Sequence, residues 1–493
     1  MKIDYSKYPM IPPGCQMNFN RLNGTYQVFR EGKKRSPWCT TKRESVGRID
    51  ADGNFTLSKL FQLNQELHSN TPSSQPLPNS NEPSPQTPSK EDSTTISKVA
   101  DAVGTIVQKT QIDSRHPTVT SIPMTALVLG ALMQALTGDT DCVSIGDFVA
   151  RNREFFNRYI PNCSFEHVSH DTIRRSLMLI APERFEKFYL KILEPLIAHT
   201  VADVVAVDGQ AVRASAKTST DNDTPHAPSM IMNVYDVGNR VCLAQRRIEN
   251  KTNEITVGPQ MIDDLNLWGT VVTADAMSCQ VGFVEAVCRQ ADYCISLKGN
   301  QERSWKEAMY LFSTTDPSQI TSHVGDWELD HGRIERRTIS AISGKLLSAP
   351  IRKKWPGLAG GALVRVMTEK TKKSTDKQSV DVRYYITSLP GNEDTIERLG
   401  EVIRAHWGIE NRLHWMLDNL FRQDRMQADN PNYLSNRCAL NKLALAILEN
   451  YQFYLWDTGV MDEKPSLRLL QQRCRDPKIA IECIACALGC LPC

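Results

Sequence analysis

The chain has 493 residues, of which 41% are apolar and 23% charged, and a formal net charge of +2. That length exceeds what one hydrophobic core usually serves, so two or three domains are expected, with the composition of a soluble globular protein. The longest apolar stretch, Ile122 to Leu136, is interrupted by Thr125 and Gln134, is too short to span a bilayer and reads as a buried helix.

Charge and composition divide the N-terminal region. Residues 1–60 carry 11 Lys and Arg against 5 Asp and Glu. Lys33, Lys34 and Arg35 form one cluster and Lys42-Arg43 another, interleaved with Tyr26, Phe29 and Trp38. The pattern fits either a phosphate-tracking surface or solvated basic loops. Residues 1–65 read as a small basic β-rich module, with hairpin turns at Asn23-Gly24 and Asp52-Gly53. Residues 66–96, rich in Ser, Pro, Asn, Gln and Thr, read as a disordered linker. Met1–Met10 mixes charges with tyrosines, so no secretory leader is expected and most of the 14 cysteines are expected reduced and buried. Residues 97–200 show helical periodicity, notably in Ile122–Leu136, Ile145–Arg158 and Phe185–Ile197, with helix-capping groups at Ser169-His170-Asp171.

A different pattern begins at Val204-Val205-Ala206-Val207-Asp208-Gly209, a buried-strand run ending in a carboxylate. Val271-Val272-Thr273-Ala274-Asp275 repeats the plan. If the two strands are neighbours, Asp208 and Asp275 stand side by side and need a cation or a shared proton; a hard divalent metal is the usual answer, and Mg²⁺ is typically held by one or two carboxylates plus substrate phosphate oxygens. The alternative is a pair of ordinary strand-end or helix-capping aspartates. Between and after them the elements run β-β-β-α-β-α-β, with a hairpin at Gly238-Asn239, which gives a mixed sheet with helical crossovers. Residues 321–391 break the alternation and read as a β-rich insertion. Helix returns over Thr395–Leu420 and Leu440–Tyr454. In the first of these, His406, Glu410 and His414 are spaced i, i+4, i+8 and share a face, beside Trp407, Asn411 and Trp415.

Several stretches together resemble one family. They are Val207-Asp208-Gly209-Gln210-Ala211-Val212-Arg213, Lys251-Thr252-Asn253-Glu254-Ile255, Ala274-Asp275-Ala276-Met277-Ser278-Cys279-Gln280, Leu297-Lys298-Gly299-Asn300-Gln301, and His406-Trp407-Gly408-Ile409-Glu410-Asn411 with Leu413-His414-Trp415-Met416-Leu417-Asp418. In this order they resemble the bacterial insertion-sequence transposases of the DDE class, in the subgroup with the H-repeat-associated proteins. The resemblance covers roughly Ser121 to Asn450.

It implies an α/β fold: an RNase H-like catalytic core, a mixed sheet flanked by helices, over residues 201–455, interrupted by a β-rich insertion and preceded by a helical transposase-associated domain. It places Asp208, Asp275 and Glu410 on the three catalytic, metal-binding acids. It implies Mg²⁺, or Mn²⁺ in its place, as cofactor, with two-metal phosphodiester transfer joining a freed 3′-hydroxyl to target DNA. The implied partners are double-stranded DNA at the element's terminal repeats and at the target, a second copy of the chain in the DNA complex, and no membrane. The implied location is the cytoplasm, on the nucleoid. Lys298, Arg213, Arg404 and His406 are candidate DNA contacts, as are Lys33, Lys34 and Arg35, with surface ion pairs the competing role for Lys298, Arg213 and Arg404.

Gln210 and Ala214 stand where many relatives have Lys and Gly, and Asn419 and Gln423 interrupt the usual pattern after Asp418. A catalytically inactive, transposase-derived DNA-binding protein is therefore the alternative function, and a structural protein with the acids as caps is a third. In the tail, residues 456–493, Cys474 precedes Cys483, Cys486, Cys490 and Cys493. Zinc and a cysteine-rich packed helix both stay open there, and the short spacing favours the helix.

Overall fold

The computed structural model describes residues 11, 15–20, 25–31, 43–49, 55–57, 90–116, 122–197, 202–216, 227–248, 254–330, 333–372, 377–428 and 430–491. Lys33, Lys34 and Arg35, the two predicted N-terminal turns, residues 66–89 of the predicted linker, Lys251-Thr252-Asn253 and Cys493 lie outside them. The chain forms two compact units, one of residues before 201 together with those after 427, the other of residues 201–427.

The first unit begins with four antiparallel strands in sequence order, β1 (Cys15–Asn20), β2 (Thr25–Glu31), β3 (Arg43–Ile49) and β4 (Phe55–Leu57). Helix α1 (Lys90–Thr110) starts inside the segment read as linker. Its buried stripe of Ile96, Val99, Val103 and Val107 has helical spacing, and the helix extends from that stripe back into polar residues. Then follow α2 (Met124–Ala135), α3 (Cys142–Arg151), α4 (Arg153–Tyr159), α5 (His170–Leu179) and α6 (Pro182–Ile197). The single helix expected over 145–158 is interrupted at Asn152, whose side-chain amide donates to the Phe148 carbonyl (2.8 Å) and competes with the backbone ladder. Ser169 caps α5, accepting from the Thr172 amide (3.2 Å).

The second unit is built on one ten-stranded sheet. Its elements are β5 (Val204–Val212), β6 (Ser229–Asp236), β7 (Val241–Ile248), α7 (Glu254–Asp263), β8 (Val271–Ala274), α8 (Val281–Cys288), β9 (Asp292–Leu297), α9 (Glu302–Thr314), β10 (Ile320–Val324), β11 (Glu328–Asp330), β12 (Arg333–Ser343), α10 (Ala349–Lys354), β13 (Ala362–Lys372) and β14 (Lys377–Thr387). Helix α11 (Ile396–Gly408) runs through a π-helical segment, Ile409–His414, into α12 (Trp415–Phe421).

The strands lie in the order β10-β12-β13-β14-β9-β8-β5-β6-β7, with β11 against β12. β5, β8 and β9 are parallel neighbours, and β5-β6-β7 is an antiparallel meander. The strands of the predicted insertion extend this sheet, because β14 pairs antiparallel with β9. Alternation along the central strands feeds two layers. Val205, Val207, Val272 and Ala274 pack with Phe283, Phe312 and Trp355 on one face, and Val204 and Val271 pack with Leu399, Val402 and Ile403 on the other.

The first unit is completed by α13 (Pro431–Asp457), α14 (Leu467–Arg473) and α15 (Pro477–Ala487). Helix α13 is buried around its circumference from Tyr433 to Glu449, as expected of a central helix packed on all sides. Asn436 donates to the Leu177 and Ile180 carbonyls at the end of α5 (2.8 and 2.9 Å). Cys474 and Cys483 are buried with sulfurs 3.6 Å apart, and Cys486 donates to Asn450 Oδ1 (3.2 Å). Among the described residues no helix is long and apolar enough to cross a membrane.

Candidate active site

Four fully buried residues, Val204–Val207, anchor β5 in the sheet, and Asp208 follows, half-buried. Pairing with β8 sets Val207 opposite Ala274, so the next residues on the two parallel strands, Asp208 and Asp275, fall side by side. β8 stops there, whereas β5 continues to Val212 because β6 pairs with it as far as Ser229. Asp208 is therefore a mid-strand residue, not a strand end. Asp275 opens a turn in which its Oδ1 accepts from the amides of Met277 (2.9 Å) and Ser278 (3.3 Å).

Helix α11 crosses this part of the sheet. His406 Nδ1 lies 3.2 Å from Thr273 Oγ1 on β8. Burial pushes the His406 pKa down to about 4, Asp275 opposes that shift and Lys298 adds to it, so the ring is neutral at neutral pH. Eight residues on, His414 Nδ1 is 3.6 Å from Asp208 Oδ2, and its Nε2 is 3.1 Å from Asn233 Nδ2 on β6. The intervening helix is not regular, since Ile409–His414 is a single π-helical segment, a feature frequent at functional sites. Glu410, on that segment, is exposed; its backbone carbonyl accepts from the Trp415 amide, and its side chain makes no hydrogen bond or ion pair to any described residue.

A buried polar network ties the helix to β5. Gln210 Nε2 donates to Asp418 Oδ1 (2.9 Å) and to the His414 carbonyl (3.3 Å), and Gln210 Oε1 accepts from Gln423 Nε2 (2.8 Å). Gln423 is fully buried. Burial, then the neighbouring Asp424, holds the Asp418 carboxyl above its ordinary range.

The basic candidates separate. Lys298 is exposed just past β9, at the same sheet edge as Asp275, and Arg213 is exposed just past β5. Arg404 is engaged with Glu328 (2.6 Å), which also pairs with Arg337 (2.9 Å). Asn233 had no role in the sequence reading, and Gln210 entered it only as a departure from the family pattern. The signal for Asn233 was one asparagine inside Met230-Ile231-Met232-Asn233-Val234-Tyr235, where a buried amide demands partners.

Carboxylates at adjacent strand positions are the donors a hard divalent cation takes, and Asp208 and Asp275 fit it in kind and placement. Glu410 is exposed, and among the described residues no three His, Cys, Asp or Glu side chains are gathered to hold a metal ion.

The family described as "Transposase DDE domain" matches residues 199–447. "Putative protein YbfL" of Escherichia coli (strain K12) is 26% identical over 335 residues, 66% of this chain and 85% of that one. "H repeat-associated putative transposase YhhI" of the same strain is 26% identical over 332 residues, 66% of this chain and 84% of the relative. A solved piggyBac transposase synaptic complex with hairpin DNA covers 79% of this chain and 81% of its own at 11% identity and a TM-score of 0.38, too remote to bear on the fold.

Proposed function

The chain belongs to the bacterial DDE transposases of the H-repeat group, and from that premise we propose that it is the transposase of an insertion sequence, cutting the element's ends and joining the freed 3′-hydroxyl to target DNA. The observation that carries the catalytic assignment is the register that sets Asp208 beside Asp275 within the matched region. The order β7-β6-β5-β8-β9, an antiparallel meander followed by parallel strands, supports an RNase H-like reading of the core.

In this reading Asp208, Asp275 and Glu410 hold Mg²⁺ or Mn²⁺. Bound there, the metal supplies Lewis-acid stabilisation of charge on the phosphodiester and activation of the attacking oxygen. Asp208 and Asp275 present their carboxylates from the rigid sheet, and Glu410 supplies a third from the helix. Lys298 and Arg213 offer cations to DNA phosphates near the acids. His406, neutral and wedged against Thr273, supports the helix that carries Glu410. Double-stranded DNA is the substrate, and pairing two element ends calls for two copies of the chain.

The test is nicking and strand transfer on a labelled duplex bearing the parent element's ends, with Mg²⁺ or Mn²⁺. Metal-dependent nicking by the wild type and none by Asp275→Asn is expected. Equal nicking by both would remove Asp275 from the site, and tight binding without nicking by either would favour the inactive, DNA-binding alternative.

A further inference from the structure

We propose that Asn233 and His414 are positioning residues that hold the His414 ring in one tautomer and aim its Nδ1–H at the carboxylate of Asp208. Asn233 is fully buried on β6, directly opposite Asp208 in the strand pairing. Its Nδ2 lies 3.3 Å from the Ile231 carbonyl and 3.1 Å from His414 Nε2, and its Oδ1 faces the Cys242 thiol (3.9 Å). A carbonyl oxygen only accepts, so the end of the amide facing Ile231 is the NH₂. Turning the amide over would set two oxygens against each other in a buried site.

The same NH₂ faces His414 Nε2, which must then accept. An imidazole that accepts at Nε2 while neutral carries its proton on Nδ1, and Nδ1 is the atom 3.6 Å from Asp208 Oδ2. An imidazolium would place an N–H against the Asn233 NH₂. The Gln210 amide, donating to the His414 carbonyl (3.3 Å), fixes the backbone from which the ring projects. A neutral donor suits this position. It restrains the carboxylate's orientation yet leaves its full negative charge, whereas a Lys or Arg there would neutralise it. Hydrogen-bonded groups behind a metal ligand commonly change metal affinity about 10–100-fold when removed. This inference rests on the proposed role of Asp208 as a metal ligand.

The experiment uses the full chain without DNA. Two-bond ¹H–¹⁵N correlations of ¹⁵N-histidine protein report the tautomer, with His414 assigned by its loss in His414→Asn. Mn²⁺ affinity is read by electron paramagnetic resonance of free Mn²⁺, with Asp208→Asn as control. The expected result is an Nδ1–H tautomer for wild-type His414. His414→Phe is expected to lose Mn²⁺ affinity by about tenfold or more. His414→Asn, whose amide places an N–H where Nδ1 was, should retain it within about threefold, a rescue that a purely structural role would not produce. Asn233→Asp should turn the ring to Nε2–H and weaken Mn²⁺ as His414→Phe does. If that variant does not fold, the two His414 variants carry the test. An Nε2–H tautomer in the wild type, or His414→Phe binding Mn²⁺ as the wild type does, overturns the proposal. A wild type that binds Mn²⁺ no better than Asp208→Asn sinks the metal-ligand reading instead, and the tautomer then decides the positioning on its own.

Discussion

Replacing Gln210 by leucine probes whether the buried network joining β5 to the helix is a structural necessity. The side chains are similar in size, but leucine removes one partner from each of three hydrogen bonds: those to Asp418 Oδ1, the His414 carbonyl and Gln423 Nε2. A buried polar group left without its partner costs about 1–3 kcal/mol. Gln423 is fully buried, so water cannot replace the bond its Nε2 loses, while Asp418 is partly solvated and recovers some of the cost from water. The extra apolar burial of leucine returns about 1 kcal/mol. The net expectation is a loss of about 2 kcal/mol, or about 4–8 °C in the melting temperature of a unit this size. Differential scanning calorimetry on the whole chain, following the transition that Gln210→Leu moves, gives the measurement. Adding Gln423→Leu should recover part of the loss, because replacing both partners by apolar groups is far cheaper than stranding one. A Gln210→Leu protein as stable as the wild type, or a double variant whose losses simply add, would refute the network as a coupled unit.

The His406 pKa, depressed to about 4 from 6.5, makes stability depend on pH. Between those values the unfolded chain binds more protons, so the contribution is complete above about pH 6.5 and is lost as pH falls toward 4, by at most about 3 kcal/mol. Denaturant titrations of wild type against His406→Gln across that window should show the difference shrinking on acidification, and a constant difference would contradict the burial argument. Gly361→Ala should cost about 3 kcal/mol or more, since its Cβ would sit 2.0 Å from the Thr387 carbonyl oxygen and 2.8 Å from Ser388 Cα, both backbone atoms. A soluble, undiminished melting transition would contradict it. Asn436→Ala should lower stability by about 1–3 kcal/mol by stranding the Leu177 and Ile180 carbonyls, as measured by urea unfolding, and no loss would mean that water replaces the amide.

Much of this protein is decided locally and could be read from residues alone. Apolar runs closed by Asp208 and Asp275 specify buried strands, because β-branched side chains pack well against their neighbours on a pleated, buried surface. Ser169 specifies a helix start through its own bond to Thr172, and Asn430-Pro431 carries the start of α13 in the same way, as an N-cap followed by a first-turn proline well ahead of the apolar run at Leu440. The family's motifs, likewise, are short stretches of sequence.

What the tertiary structure alone decided depends on partners far away in the chain. Nothing near residue 377 announces that β14 joins β9, so the strands of the insertion extend the central sheet through a pairing between segments some ninety residues apart. Side-chain spacing in a helix assumes a regular turn, and the π segment at Ile409–His414 departs from it where α11 packs over the sheet. The contact of His414 with Asp208 and Asn233 closes across strands and helix at once. Residues 428–455, expected in the catalytic domain, pack with the first unit, because a helix buried around its whole circumference is held by whichever surfaces can enclose it, and its own residues do not say which those are.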